Sequence, residues 1–128
     1  MKTRNLVSFV LVIATFALVG CSKDETKESI AGTTWIGAWL GQGYKLVEFT
    51  SNSEFYECYC DENGNLINPS DPYHGKNFGT YSLNGNDIDF ITHDTYSAEF
   101  DRAVLKNNKT RMDIYLDHTG TSIAFQRK

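Results

Sequence analysis

The side chains here with the greatest capacity for chemistry are a pair of cysteines, three histidines and a set of aspartates. Cys58 and Cys60 stand two residues apart, and His74, His93 and His118 are spread further along, with Asp61, Asp71, Asp94 and Asp117 near them in the chain. Zinc favours Cys and His at tetrahedral distance, so Cys58 or Cys60 with one of the histidines is the metal site these types would make. None of these ligands has a recognised local spacing, and no metal is expected. Asp61-Glu62-Asn63-Gly64-Asn65 has the composition of a calcium loop, but its glycine is fourth rather than sixth and no Glu stands at twelve. A Cys60–His pair is the nucleophilic arrangement to consider. Gly-x-Ser-x-Gly, His-Glu-x-x-His and a phosphate loop do not occur in the chain. The expectation is a non-enzymatic protein, with no catalytic residues and no cofactor.

The elements that carry these residues read as short strands separated by turn residues. Thr33–Leu40 holds Trp35, Ile36 and Trp39 and ends at Gly41-Gln42-Gly43. In Tyr44–Thr50, Val47 and Phe49 share one face and Glu48 takes the other. Glu54–Cys60 follows a Ser51-Asn52-Ser53 turn, and residues 61–77 form a long loop rich in Asp, Asn, Gly and Pro. Cys58 and Cys60 share a face of their strand. A bridge between them would force a strained ring, so reduced, packed thiols are expected. Phe78–Leu83 and Asp87–Thr92 flank Asn84-Gly85-Asn86, a hairpin signal because Asn and Gly accept positive φ. Tyr96–Leu105, Thr110–Asp117 and Thr121–Arg127 complete the set. In Tyr96–Leu105 the alternation breaks, with Ala98 and Phe100 out of phase with Ala103 and Leu105, which predicts a bulge.

Residues 1–20 have the parts of a secretory signal: Lys2 and Arg4, then an apolar run from Leu6 to Gly20 broken only by Ser8 and Thr15. The run is shorter than the ~20 residues a spanning helix needs and is set aside from fold reasoning. Leu18-Val19-Gly20-Cys21 resembles the lipobox of bacterial lipoproteins. That resemblance implies removal of residues 1–20 and lipidation of Cys21, with acyl chains that hold the protein on a membrane. Residues 21–31 then form a flexible tether, polar and without aromatics up to Ser29. Ser22-Lys23-Asp24-Glu25 resembles the acidic export signal of surface-displayed Bacteroidetes lipoproteins. The implied location is the bacterial outer membrane, with surface display favoured over a periplasm-facing anchor.

Residues 32–128 are expected to be one domain. The signal carries two of the twelve basic residues and none of the sixteen acidic ones, so the remaining 108 residues carry a charge of −6. That balance argues against a nucleic-acid partner, which needs a basic footprint. Eight strands, each with one apolar face and joined almost entirely by tight turns, predict an all-β, eight-stranded antiparallel up-and-down barrel, since closure removes the sheet edges. The arrangement resembles the lipocalin-like domains of small bacterial lipoproteins. The matching pieces are Gly32-Thr33-Thr34-Trp35, Leu46-Val47-Glu48-Phe49-Thr50, Gly79 to Asn86, and Phe125-Gln126-Arg127 at the end of the last strand. Lipocalins use Gly-x-Trp, whereas this chain has Gly-x-x-Trp at Gly32–Trp35 or Gly37-Ala38-Trp39 further on. The resemblance implies that Arg127 packs over Trp35 and closes the barrel, a contact of ~1–2 kcal/mol with a structural role.

In that topology one end collects Ser51–Ser53, Asn84–Asn86, Lys106–Lys109 and Lys128, with basic residues suited to anionic headgroups. The other collects Gly41–Gly43, the 61–77 loop, His93-Asp94 and His118. Trp35, Phe49, Phe55, Tyr81, Phe90, Met112 and Phe125 are expected inside, enough to fill so short a barrel, and a filled core is favoured over an open pocket. The functional expectation is a binding module for a small apolar or amphipathic ligand. Tyr73, His74, His93, His118, Trp39 and Phe55 are its candidate contacts. The alternative is a surface interaction protein, an inhibitor or accessory subunit, that meets a macromolecule through the 61–77 loop, whose Tyr73, His74 and Asp/Asn residues offer adaptable contacts.

Overall fold

The computed structural model describes residues 29–92, 100–116 and 120–128. The segment read as a signal, Cys21, His93 and His118 lie outside the described residues. Eight strands run in chain order: β1 (Thr34–Ala38), β2 (Tyr44–Phe49), β3 (Glu54–Cys60), β4 (Asn77–Asn84), β5 (Asp87–Thr92), β6 (Phe100–Lys106), β7 (Arg111–Leu116) and β8 (Ser122–Arg127). Each pairs antiparallel with the next, and β1 pairs with β8 through Trp35↔Arg127, Ile36↔Gln126 and Gly37↔Phe125, closing the sheet into a barrel. Among the described residues there is no helix. The all-β, eight-stranded up-and-down barrel expected from alternation is the architecture observed, and it is compatible with a lipocalin-like fold.

Local chemistry sets the turns. β4 and β5 join across Gly85-Asn86, with Gly85 at φ +67°. A left-handed first turn residue matches the twist of the strands it joins and needs no Cβ. The β6–β7 turn instead places Asn107, Asn108 and Lys109 in the left-handed region, at φ 53°, 56° and 62°. Asparagine tolerates this conformation, and the Thr110 amide and hydroxyl donate to the Asn107 carbonyl, which fixes the turn. The expected irregularity in β6 is present as a register shift between Phe100 and Arg102. It brings Phe100 onto the core side together with Ala103 and Leu105, all three of which are buried.

The interior is filled by side chains. All seven residues expected inside belong to one buried cluster, together with Val47, Ile88, Phe100, Leu105, Ile114 and Leu116. Its aromatic members interlock: Phe49 meets Tyr81 edge-on at 4.6 Å between centroids, Phe55 meets Phe90 at 4.9 Å, and Phe90 meets Phe100 at 5.3 Å. Such tilted contacts suit the ring quadrupole.

The lower end, where β1 begins, is plugged by residues just ahead of it. Ile30 is buried in the core cluster, so the packed body takes in the last residues of the segment read as tether. Thr33 Oγ1 donates to the Ile30 carbonyl at 2.6 Å and accepts from Trp35 Nε1 at 2.8 Å. The Gly32 amide donates to the Phe49 carbonyl at 2.7 Å. A buried indole N–H needs such a partner.

One glycine is required by packing rather than by a turn. A Cβ on Gly37 would lie 2.7 Å from Phe125 Cδ1 and 2.9 Å from the Ala124 carbonyl oxygen, across the seam that closes the barrel. Gly37→Ala is therefore expected to destabilise the fold by about 1–3 kcal/mol through overpacking. The measurement is the urea midpoint, which an isosteric change on the exposed face of β8 should leave unmoved.

Candidate functional site

β2 and β3 pair with Lys45 opposite Tyr59 and Val47 opposite Glu57. Strand alternation turns Lys45, Val47 and Phe49 inward on β2, and Phe55, Glu57 and Tyr59 inward on β3. Lys45 and Glu57 are thus diagonal neighbours on the inner face, a spacing that long side chains bridge. Their Nζ and Oε1 atoms are 2.6 Å apart, with side chains 7% and 0% exposed. The pair lies near the upper end, one residue in from where β2 begins. Trp39, just beyond β1, places its ring centroid 4.2 Å from Lys45 Nζ; Tyr59 lies at 4.9 Å and Phe100 at 5.9 Å. An ammonium at these distances is held by the faces of several rings as well as by its carboxylate. Tyr59 is half-buried, and its hydroxyl donates to Gln42 Oε1 at 3.4 Å in the β1–β2 turn. The box therefore meets the rim at Tyr59 and Gln42.

Two of the residues proposed from sequence belong to this neighbourhood. Trp39 forms a wall of the box, and Phe55 packs below it against Phe49, Phe90 and Phe100. Tyr73 and His74 sit elsewhere, on an exposed turn whose amides both donate to Asp71 Oδ1, at 2.7 and 3.0 Å. Those bonds hold the Asp71 carboxyl below its ordinary range. Arg127 stands opposite Trp35 in the β1–β8 register, its guanidinium carbon 5.9 Å from the indole centroid. That is near the outer limit for a cation–π contact, and its Nη1 donates to the Lys109 carbonyl at 3.4 Å.

The long loop does not frame the mouth along its first part; it folds back on the outer wall. Cys60 bridges to Leu66, the Ile67 amide donates to the Tyr59 carbonyl, and Leu66 packs against a buried outer cluster of Leu46, Tyr56, Cys58 and Cys60 with Ile36 and Tyr44. The reason is that the outward face of β3 is apolar as well as buried: Tyr56, Cys58 and Cys60 point outward and need cover. Asp61 serves its own turn. Its Oδ1 accepts from the Asn63 and Asn65 amides and its Oδ2 from Asn65 Nδ2, bonds that lower its pKa, the Asn65 side chain foremost. Among the described residues no three His, Cys, Asp or Glu side chains come together as a metal site.

Both thiols are free and buried. Burial pushes the Cys60 thiol up to about 11, with Asp61 and Cys58 adding to it, and burial likewise raises Cys58, helped by Glu57. A thiol this reluctant to ionise is a poor nucleophile.

The chain matches no protein-family model, no curated protein and no solved structure.

Two outcomes are expected. At pH 8 the folded protein should leave Cys58 and Cys60 unmodified by a thiol reagent that labels both in denaturant, and Leu66→Ala should speed native labelling; alkylation followed by peptide mass mapping reads this. Lys45→Met should cost about 3–5 kcal/mol because it breaks a buried ion pair, whereas Lys45→Met with Glu57→Leu should recover most of that loss, as seen in denaturation midpoints.

Proposed function

We infer that this protein is a lipid-anchored envelope lipoprotein with a lipocalin-like domain, and that it acts as a non-catalytic binding module for a small amphipathic ligand taken at the upper end of the barrel. The observation that carries the reading is the buried Lys45–Glu57 pair within Trp39, Tyr59 and Phe100. Burying two charges usually costs more than their attraction returns, and an apolar pair of similar volume is often the more stable choice. A paired charge set just inside a rim, above an aromatic base, offers a polar head a partner and an apolar body a wall. Ligand sites combine these features: mostly apolar lining and a few placed polar groups. With the base filled, the ligand is small and enters head first.

The lipoprotein part of the reading rests on the lipobox at Leu18–Cys21 and the signal ahead of it. It fits the direction of the chain, which enters the barrel at the lower end and leaves the upper end facing away. Outer-membrane placement and surface display rest on the Ser-Lys-Asp-Glu segment after Cys21.

A second reading, contact with a macromolecule, is favoured by one specific observation. Among the described residues the exposed large hydrophobics are Leu40, Ile67, Tyr73, Phe78 and Ile91. Each belongs to the upper half, in the β1–β2 turn, in the 61–77 loop, or near the upper ends of β4 and β5. Phe78 and Ile91 are diagonal neighbours on the outer face of the β4–β5 pair, and adjacent exposed apolar groups mark interaction surfaces more often than scattered ones do.

One experiment separates the two readings: native mass spectrometry of the protein isolated gently from its own host. A small molecule bound at unit stoichiometry, and lost in Lys45→Met with Glu57→Leu, is the result expected of the ligand module. A bare mass, with a co-purifying protein that Phe78→Asp releases, would transfer the function to the outer surface.

A further inference from the structure

The box has a chemical preference that narrows the ligand class. We propose that the upper end of the barrel recognises an organic ammonium group, which displaces the Lys45 side chain and takes its place against Glu57 and the rings of Trp39, Tyr59 and Phe100. This rests on the ligand-binding reading above and specifies its chemistry.

The argument is one of charge balance. Glu57 lies deeper, with its side chain fully enclosed between β2 and β4 through its pairing with Val47 and Asn77. Lys45 stands one residue from the start of β2, at the rim, on a long flexible stem. If an anion entered, it would have to draw Lys45 away from Glu57 and break a buried ion pair without replacing its cation, which is strongly unfavourable. If a cation enters, Lys45 swings outward into water, where its ammonium is fully hydrated, and the incoming charge restores the pair. The number of buried charges is the same before and after. The three ring faces act in the same direction, since the face of an aromatic ring attracts cations and repels anions.

In this arrangement Lys45 is a resident occupant that a ligand must outcompete. The apparent affinity is reduced by the small fraction of molecules in which the lysine is out. The natural ligand is then an amine or methylated amine carrying a short apolar body that gains contact at the rim.

Displacement leaves a mark that a structural ion pair would not. Lysine acetylation with mass-spectrometric readout on the full chain should find Lys45 slow to react in the free protein. Butyltrimethylammonium, whose charge and length approximate the lysine side chain, should raise the Lys45 rate about tenfold at saturation. Lys76 and Lys106 should keep their rates, and sodium butyrate at equal concentration should do nothing. Glu57→Gln should abolish the response. If that variant does not fold, Lys45→Ala supplies the second arm: its melting temperature should rise with butyltrimethylammonium and not with butyrate. Unchanged Lys45 labelling up to the solubility limit of the cation, or equal exposure by butyrate, overturns the proposal. Trp39 fluorescence keeps its failure distinct from that of the ligand reading. A response to butyrate or butanol without one to the cation overturns only the ammonium class, and silence towards all three overturns both.

Discussion

A sheet that closes on eight strands leaves an interior just wide enough for side chains, and every inward position must then be compatible with its neighbours across a few ångströms. That constraint governs this molecule. The positions facing in from β4 to β8 are apolar or small in the main, and their rings and branched chains fill the space. β2 and β3 each break the rule once, with Lys45 and Glu57, and the breaks are tolerable because the register makes the two residues diagonal neighbours. A slip of one residue between these strands would put Lys45 and Glu57 on opposite faces of the sheet and part the pair. The ion pair therefore ties strand register to barrel closure, and the aromatic box around Lys45 follows from the same register.

β3 imposes a second constraint, because its outward face is apolar too. Tyr56, Cys58 and Cys60 cannot be left to water together, and the chain that follows is spent on covering them: Leu66 seats over the thiols, and Lys76 Nζ comes to rest 4.4 Å from the Tyr56 ring. A loop held to the outer wall in this way is an ordered platform. Its remaining exposed part, the Asp71–His74 turn, is held by backbone bonds to one carboxylate. Elsewhere on the outside charge is handled locally. On β7, burial works against the Asp113 carboxylate, yet Arg111 and Lys106 outweigh it and hold its pKa below the ordinary range. With a depressed folded pKa, its contribution to stability is present above the unfolded carboxylate value and is lost as pH falls through the folded one.

The architecture was legible from the sequence because it rests on local signals: alternation in each strand, turn residues between strands, and even the bulge in β6, visible as Phe100 out of phase with Ala103. The candidate site was legible only in part. Trp39 and Phe55 could be named from their type and position, but Lys45 and Glu57 went unremarked, although Lys45 is in phase with Val47 and Phe49, and Glu57 with Phe55 and Tyr59. A charged residue in phase with a buried face reads as an exception until its partner is known, and the partner is set by pairing between strands, which no single strand encodes. The loop shows the same limit. Its composition suggested a rim segment, whereas its course is decided by the apolar outer face of β3, a demand written in a different stretch of chain.

The two ends of the barrel are consequently unlike in kind. The lower end is sealed by Ile30 and by the chain of hydrogen bonds from the Trp35 indole through Thr33 to the Ile30 carbonyl, with Lys106, Lys109 and Arg127 around it. The upper end holds a neutralised charge pair behind rings, and the exposed apolar side chains of the body gather on its half. A seal made of local hydrogen bonds and a buried isoleucine has no moving part. The upper end's lysine is of another kind, a long flexible stem whose charged tip is held against Glu57 and the ring faces. Among the described residues the charged pair of the interior is therefore set at the end of the barrel opposite the seal, and its lysine is the member nearer the rim.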